Sequence, residues 1–135
     1  MSVIVKGGQT LAVDNAQILS KGPSVVPTSL GNLATVTGNV LITGIYGVVL
    51  TAITATATTL NVGTAASATS LINAEAVTSL AVGQVVTSNE TTPVTPAAPV
   101  VAAAGHITWQ ASASNTGAIK FYICYVPLDP GAGIS

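Results

Sequence analysis

Residues 105–126 read GHITWQASASNTGAIKFYICYV, and this stretch decides the class of fold. In its first run Ile107, Trp109, Ala111 and Ala113 alternate with His106, Thr108, Gln110 and Ser112. A period of two puts the apolar set on one face of a strand. In its second run Ile119, Phe121, Ile123 and Tyr125 share a face. Between the runs lies Ser114-Asn115-Thr116-Gly117, a segment of turn-forming residues. Two alternating runs across a short Asn/Gly turn predict a β-hairpin over 105–127, with Ile107, Trp109, Ile119, Phe121, Ile123 and Tyr125 as its core. Pro127 and Asp129-Pro130-Gly131 then end the strand and leave a short tail, 128–135.

Working outward, the whole chain is β-rich and almost uncharged. Seven of 135 residues are ionic: Lys6, Lys21, Lys120, Asp14, Glu75, Glu90 and Asp129. An ordinary domain of this length carries about 34. Ala, Val, Ile, Leu, Thr and Ser make up 89 residues instead. Three scattered lysines and no arginine exclude binding to nucleic acid by phosphate neutralisation. Disorder needs the opposite composition, one cysteine builds no disulfide framework, and five Glu and Lys residues do not make a helical bundle. A formal net charge of −1 gives little protection against association, so protein neighbours are expected to cover part of the surface.

A membrane is the other way to hide such a surface. Val40–Ile53, VLITGIYGVVLTAI, is the longest apolar run, but its 14 residues fall short of the roughly 20 of a spanning helix. Its β-branched residues and two glycines favour strand. The start, MSVIVKGGQT, lacks the features of a secretory signal. Four of the five aromatics fall within 17 residues, which does not furnish the two girdles of an outer-membrane barrel. No membrane partner is expected.

Residues 1–35 read as an extended arm ahead of a β-domain at 36–135. Val3, Ile4 and Val5 suit a short strand, while Lys21-Gly22-Pro23 and Val26-Pro27 interrupt regular structure. Val3, Ile4, Val5, Val25, Val26 and Leu30 are the expected contacts with another chain. The signal from Val36 to Val62 is strand, including Thr54, Thr56 and Thr58 alternating with Ile53, Ala55 and Ala57. Residues 64–70 (TAASATS) read as a loop. Leu71-Ile72 and Ala76–Val86, broken at Gly83, are further strand candidates. Residues 89–99 carry Pro93, Pro96 and Pro99 and predict an extended connector rather than a central strand. The sequon Asn89-Glu90-Thr91 is read as coincidental.

No catalytic constellation stands out. His106 is the only histidine, no G-x-S-x-G surrounds a serine, and the four carboxylates are dispersed. One His and one Cys do not fill a metal shell, and no phosphate-binding glycine motif occurs. Cys124, mid-strand, reads as a small apolar residue. The expectation is no enzyme, no cofactor, no metal and no small-molecule substrate.

Several segments carry a resemblance. Gly105-His106-Ile107-Thr108-Trp109, Ala113-Ser114-Asn115-Thr116-Gly117-Ala118-Ile119-Lys120 and Tyr125-Val126-Pro127-Leu128-Asp129-Pro130-Gly131-Ala132 are three of them. Gly38-Asn39-Val40-Leu41-Ile42-Thr43-Gly44-Ile45-Tyr46-Gly47 and Thr51-Ala52-Ile53-Thr54-Ala55-Thr56-Ala57 are two more. Together they resemble the cement, or decoration, proteins of podovirus-like tailed bacteriophages, with Thr54 where that family carries Gln. The resemblance implies a jelly-roll-like antiparallel β-sandwich, made in the host cytoplasm, that oligomerises, and the need to close open strand edges within a symmetric oligomer predicts a homodimer or homotrimer. It also implies a place on the outer capsid surface, binding the major capsid protein and reinforcing the shell. The alternative reading is a phage fibre, spike or adhesin module that binds a host receptor or glycan. It calls for exposed aromatics in loops, whereas Trp109 and the following tyrosines lie mid-strand.

Overall fold

The computed structural model describes residues 3–6, 9–12, 16–87, 90–91, 95–96 and 100–135. Its strands are β1 (Val3–Lys6), β2 (Gln9–Ala12), β3 (Gln17–Ser24), β4 (Gly31–Thr37), β5 (Val40–Thr51), β6 (Thr59–Gly63) and β7 (Ile72–Ala76). They continue with β8 (Val85–Thr87), β9 (Glu90–Thr91), β10 (Thr95–Pro96), β11 (Val100–Ala102), β12 (Gly105–Ala111), β13 (Ala118–Pro127) and β14 (Gly133–Ile134). All pairings are antiparallel. The long apolar run is β5, and no helix among the described residues is long and apolar enough to cross a membrane.

Two five-stranded sheets form a β-sandwich. Sheet 1 runs β3–β13–β5, with β11 and β8 lying one after the other along the far side of β5. Sheet 2 runs β14–β4–β12–β6–β7. Within these two sheets only β6 and β7 are neighbours in both chain and sheet; the connections β3–β4, β4–β5, β5–β6, β7–β8 and β12–β13 all change sheet. That order, β3, β13, β5, β8 against β4, β12, β6, β7, is the winding of a jelly roll. The pairs β1–β2 and β9–β10 stand outside both sheets.

The expected 105–127 hairpin does not form. Both strands exist, but β12 pairs with β4 and β6 in sheet 2, while β13 pairs with β3 and β5 in sheet 1. Residues 112–117 are an arch over the end of the sandwich. Alternation marks the face a strand buries, and two such faces are equally well buried by meeting across a core. Trp109 and Phe121 meet in that way, with ring centroids 5.6 Å apart and planes at 85°. All six residues of the expected hairpin core are buried, in one cluster fed by both sheets. Gly47 makes room for it: a Cβ there would come within 2.8 Å of Ile119 Cγ2 and 2.9 Å of Phe121 Cε1.

The boundary at residue 35 also moves. β3 is the edge strand of sheet 1, and β4 contributes Leu33, Ala34 and Val36 to the core. Lys21-Gly22-Pro23 does not interrupt β3, because an edge strand bonds on one side only and tolerates proline. A register shift opposite Ile119–Phe121 absorbs the extra residue. Residues 52–58 are a connection between the sheets rather than strand, with Thr58 buried and its hydroxyl donating to Thr56 O (2.8 Å). Residues 77–84 are turns, so of the Ala76–Val86 candidate only the ends are strand. Contacts to β5 and the connection after it hold this segment: Thr87 Oγ1 donates to Ile45 O, Val49 N to Gln84 O and Ile53 N to Leu80 O.

Candidate interaction face

The cross-strand register defines what sheet 1 shows on its outer side. Four rows cross it: Ile18–Cys124–Gly44, Ser20–Tyr122–Tyr46–Thr87, Lys120–Val48–Val85 and Val126–Leu41–Val101. Ile18 is 71% exposed, Val101 61%, Val85 59% and Tyr46 46%. Leu41, Val48, Tyr122, Cys124 and Val126 are half-buried between them. The Tyr46 ring lies over Gly44, 3.2–3.5 Å from where a Cβ would stand, so a bare backbone patch is roofed by an aromatic. Antiparallel sandwich sheets ordinarily turn polar residues outward. This one is mostly apolar on its outer face too, with Ser20, Thr87 and Lys120 as the polar members of the rows.

Two of the hydroxyls on the face are engaged within the sheet. Thr43 Oγ1 donates to Cys124 O (3.2 Å) and Thr87 Oγ1 to Ile45 O (3.1 Å). Lys120, the one charge in these rows, holds its ammonium 5.5 Å from the centroid of the Tyr122 ring. Covering this face therefore strands neither of those two hydroxyl donors.

Sheet 2 differs. Its outer rows place Asn32 beside Thr108 and Gly63, Thr35 beside His106, and Gln110 beside Asn61. Gln110 Nε2 donates to Thr28 O (2.9 Å), and Asn61 Oδ1 accepts from Ala74 N (2.7 Å). A Cβ on Gly63 would collide with the backbone of Ser67 and Ala68, so the 64–70 loop lies on this face and buries Thr108. His106 is exposed, on the polar side as its parity predicts.

Among the residues expected to touch another chain, Val25 (53%) and Leu30 (57%) are exposed. Val26 is a correction: at 3% exposure it belongs to the core and is unavailable to a partner. Val3, Ile4 and Val5 lie in β1, whose side chains fall outside the description. Sequence reasoning missed the sheet 1 face. Its signal was present in Lys120, Tyr122, Cys124 and Val126, the alternate set of β13, which is nearly as apolar as the buried set. Among the described residues no three His, Cys, Asp or Glu side chains gather where they would hold a metal.

The segments that carry the resemblance meet at the two ends of the β5–β13 pair. At one end Asn39 donates from N (3.0 Å) and Nδ2 (2.7 Å) to Asp129 Oδ2, and Leu128 N donates to Asn39 O (2.9 Å). Gly38, at φ 67°, accommodates Ala132 there. At the other end Gly117 lies against Ile53, where a Cβ would be 2.5 Å from Ile53 Cγ1. Asn115 Oδ1 closes that turn by accepting from Gly117 N (3.2 Å). These residues hold the frame.

Among solved structures, one chain described as part of the cyanophage Pam1 capsid asymmetric unit is similar to this one, with a TM-score of 0.56. The likeness is one of fold. Identity is 17%, over 93% of this chain and 99% of that one, so two chains of nearly equal length match almost end to end. No family model matches the sequence, and no curated protein matches it either.

Proposed function

We propose that this chain is a structural protein of a bacteriophage virion, a cement (decoration) protein that binds the shell of major capsid protein from outside and stabilises it. The observation that carries the reading is the end-to-end likeness in fold to a chain of similar length in a phage capsid asymmetric unit. The resemblance of residues 38–57 and 105–132 to cement proteins supports it independently. So does the sheet 1 face, whose apolar rows call for a protein neighbour.

The mechanism is contact rather than chemistry. Burying apolar surface yields about 25 cal/mol per Å². Association costs several kcal/mol in lost freedom before any net affinity appears. A small protein repeated over a lattice, holding both its own copies and the shell, overcomes that cost by avidity. Val25 and Leu30, with Val3, Ile4 and Val5 of β1, are the proposed contacts with other chains, in a homodimer or homotrimer.

The test is to add the chain to shells built from its cognate major capsid protein alone. Saturable decoration of the outer surface and a higher temperature of shell disruption are expected. A chain that stays unbound, or particle density that places it in a tail fibre, overturns the reading.

A further inference from the structure

We infer that the outer face of sheet 1 is where two copies of this chain meet, sheet against sheet, about a twofold axis through the Tyr46–Tyr122 row. The inference deepens the reading above by naming the surface of self-association, and it rests on the chain being an assembling structural protein.

Three observations select a second copy as the occupant. The first is area. β3, β13 and β5 carry 8, 10 and 12 residues, with three each in β11 and β8; at about 3.4 Å per residue and about 4.8 Å between strands they present a patch of roughly 590 Å². Two such patches pass the roughly 1,000 Å² of total burial that a specific interface needs. The second is charge. A face recognises itself only if it does not repel itself, and these rows carry one ionic group, Lys120, already turned onto Tyr122. Lys120 stands two residues along the strand from the central row. A twofold axis running across the strands at that row, with the sheets about 10 Å apart, holds the two Lys120 backbones roughly 17 Å apart, beyond the Debye length at physiological salt. The third is polar satisfaction. Thr43 and Thr87 spend their hydroxyl protons on strand carbonyls, so a sheet-on-sheet contact strands neither of these donors, while the Ser20, Tyr46 and Tyr122 hydroxyls of the central row are left to bond across the twofold. The polar face of sheet 2, with its overlying 64–70 loop, is left outward.

The experiment is light scattering on the full chain after gel filtration, over a wide concentration range. The expected mass is twice the 13.2 kDa of one chain. Val48→Glu, in the middle of the face, is expected to give monomer at the same concentration. Val85→Glu serves as a second variant at an exposed position, should Val48→Glu fail to fold. Thr35→Glu on sheet 2 is expected to leave the dimer intact. Alkylation of Cys124 should be at least tenfold faster in the monomeric variants than in the wild type. A monomeric or trimeric wild type overturns the inference. So does a dimer that survives both face variants. Density on a shell showing this face seated on capsid protein, with the copies apart, refutes the inference while leaving the proposed function standing. A dimer of this geometry that never binds a shell does the reverse.

Discussion

Gly47 and Phe121 show how much one residue decides here. The ring of Phe121, fully buried, occupies the space a side chain at 47 would claim. Gly47→Val should destabilise by about 1–3 kcal/mol through overpacking. Phe121→Ala should cost about 3–5 kcal/mol through the cavity it leaves. Urea unfolding midpoints measure both. Because the two side chains compete for one volume, the double variant should be less destabilised than the added single effects. A strictly additive result would mean the ring does not rest on Gly47. Trp109, the only tryptophan and buried against Phe121, should resist iodide quenching in the folded protein, and strong quenching would contradict its place in the core.

Between β12 and β13, the arch of residues 112–117 carries the chain from one sheet to the other. Replacing it with a two-residue Asn-Gly turn is the natural edit if the strands paired as a hairpin. In this topology the edit should abolish folding, seen as loss of near-ultraviolet dichroism and dispersed amide resonances, because two residues do not cross a sandwich about 10 Å thick. A folded product would restore the hairpin. At the opposite end, Asp129→Ala removes the acceptor of both Asn39 bonds and should cost about 1 kcal/mol. Asn39→Ala should cost a similar amount, and the pair should not add, which a double-mutant cycle measures. The existence of both strands was legible from alternation, and so was the turn chemistry of Ser114–Gly117. The partners of those strands were not, because period two specifies a face and says nothing about which backbone lies alongside.

Over the whole molecule, scarcity of charge governs behaviour. With seven ionic groups in 135 residues, the proposed attachment to a shell should change little between low and high sodium chloride, and sulfate should strengthen it. Cosedimentation across a salt series measures this, and a steep loss with sodium chloride would indicate an electrostatic docking site instead. The same scarcity is why composition supports the proposed interaction role without locating a surface for it. Excess apolar residues say that something must cover them. Locating them required the register that lines up Ile18, Cys124 and Gly44, then Tyr122 and Tyr46, then Val48 and Val85.

Composition and short-range pattern by themselves determined that this chain is all-β, that its last two long strands bury Ile107, Trp109, Phe121 and Ile123, and that the segment Ser114–Gly117 separates them. These are local matters, set by backbone sterics and by the side-chain alternation of a single strand. Only the tertiary structure decided that β12 and β13 part to opposite sheets and that residues 17–37 are drawn into the sandwich. It alone showed that sheet 1 keeps an apolar outer face while sheet 2 turns its own to water. The physical reason is that pairing and packing partners lie far apart in the chain: Gln17 meets Tyr125, and Asn39 meets Asp129. Such choices depend on how the whole set of apolar faces closes at once, a property that no single stretch of sequence contains.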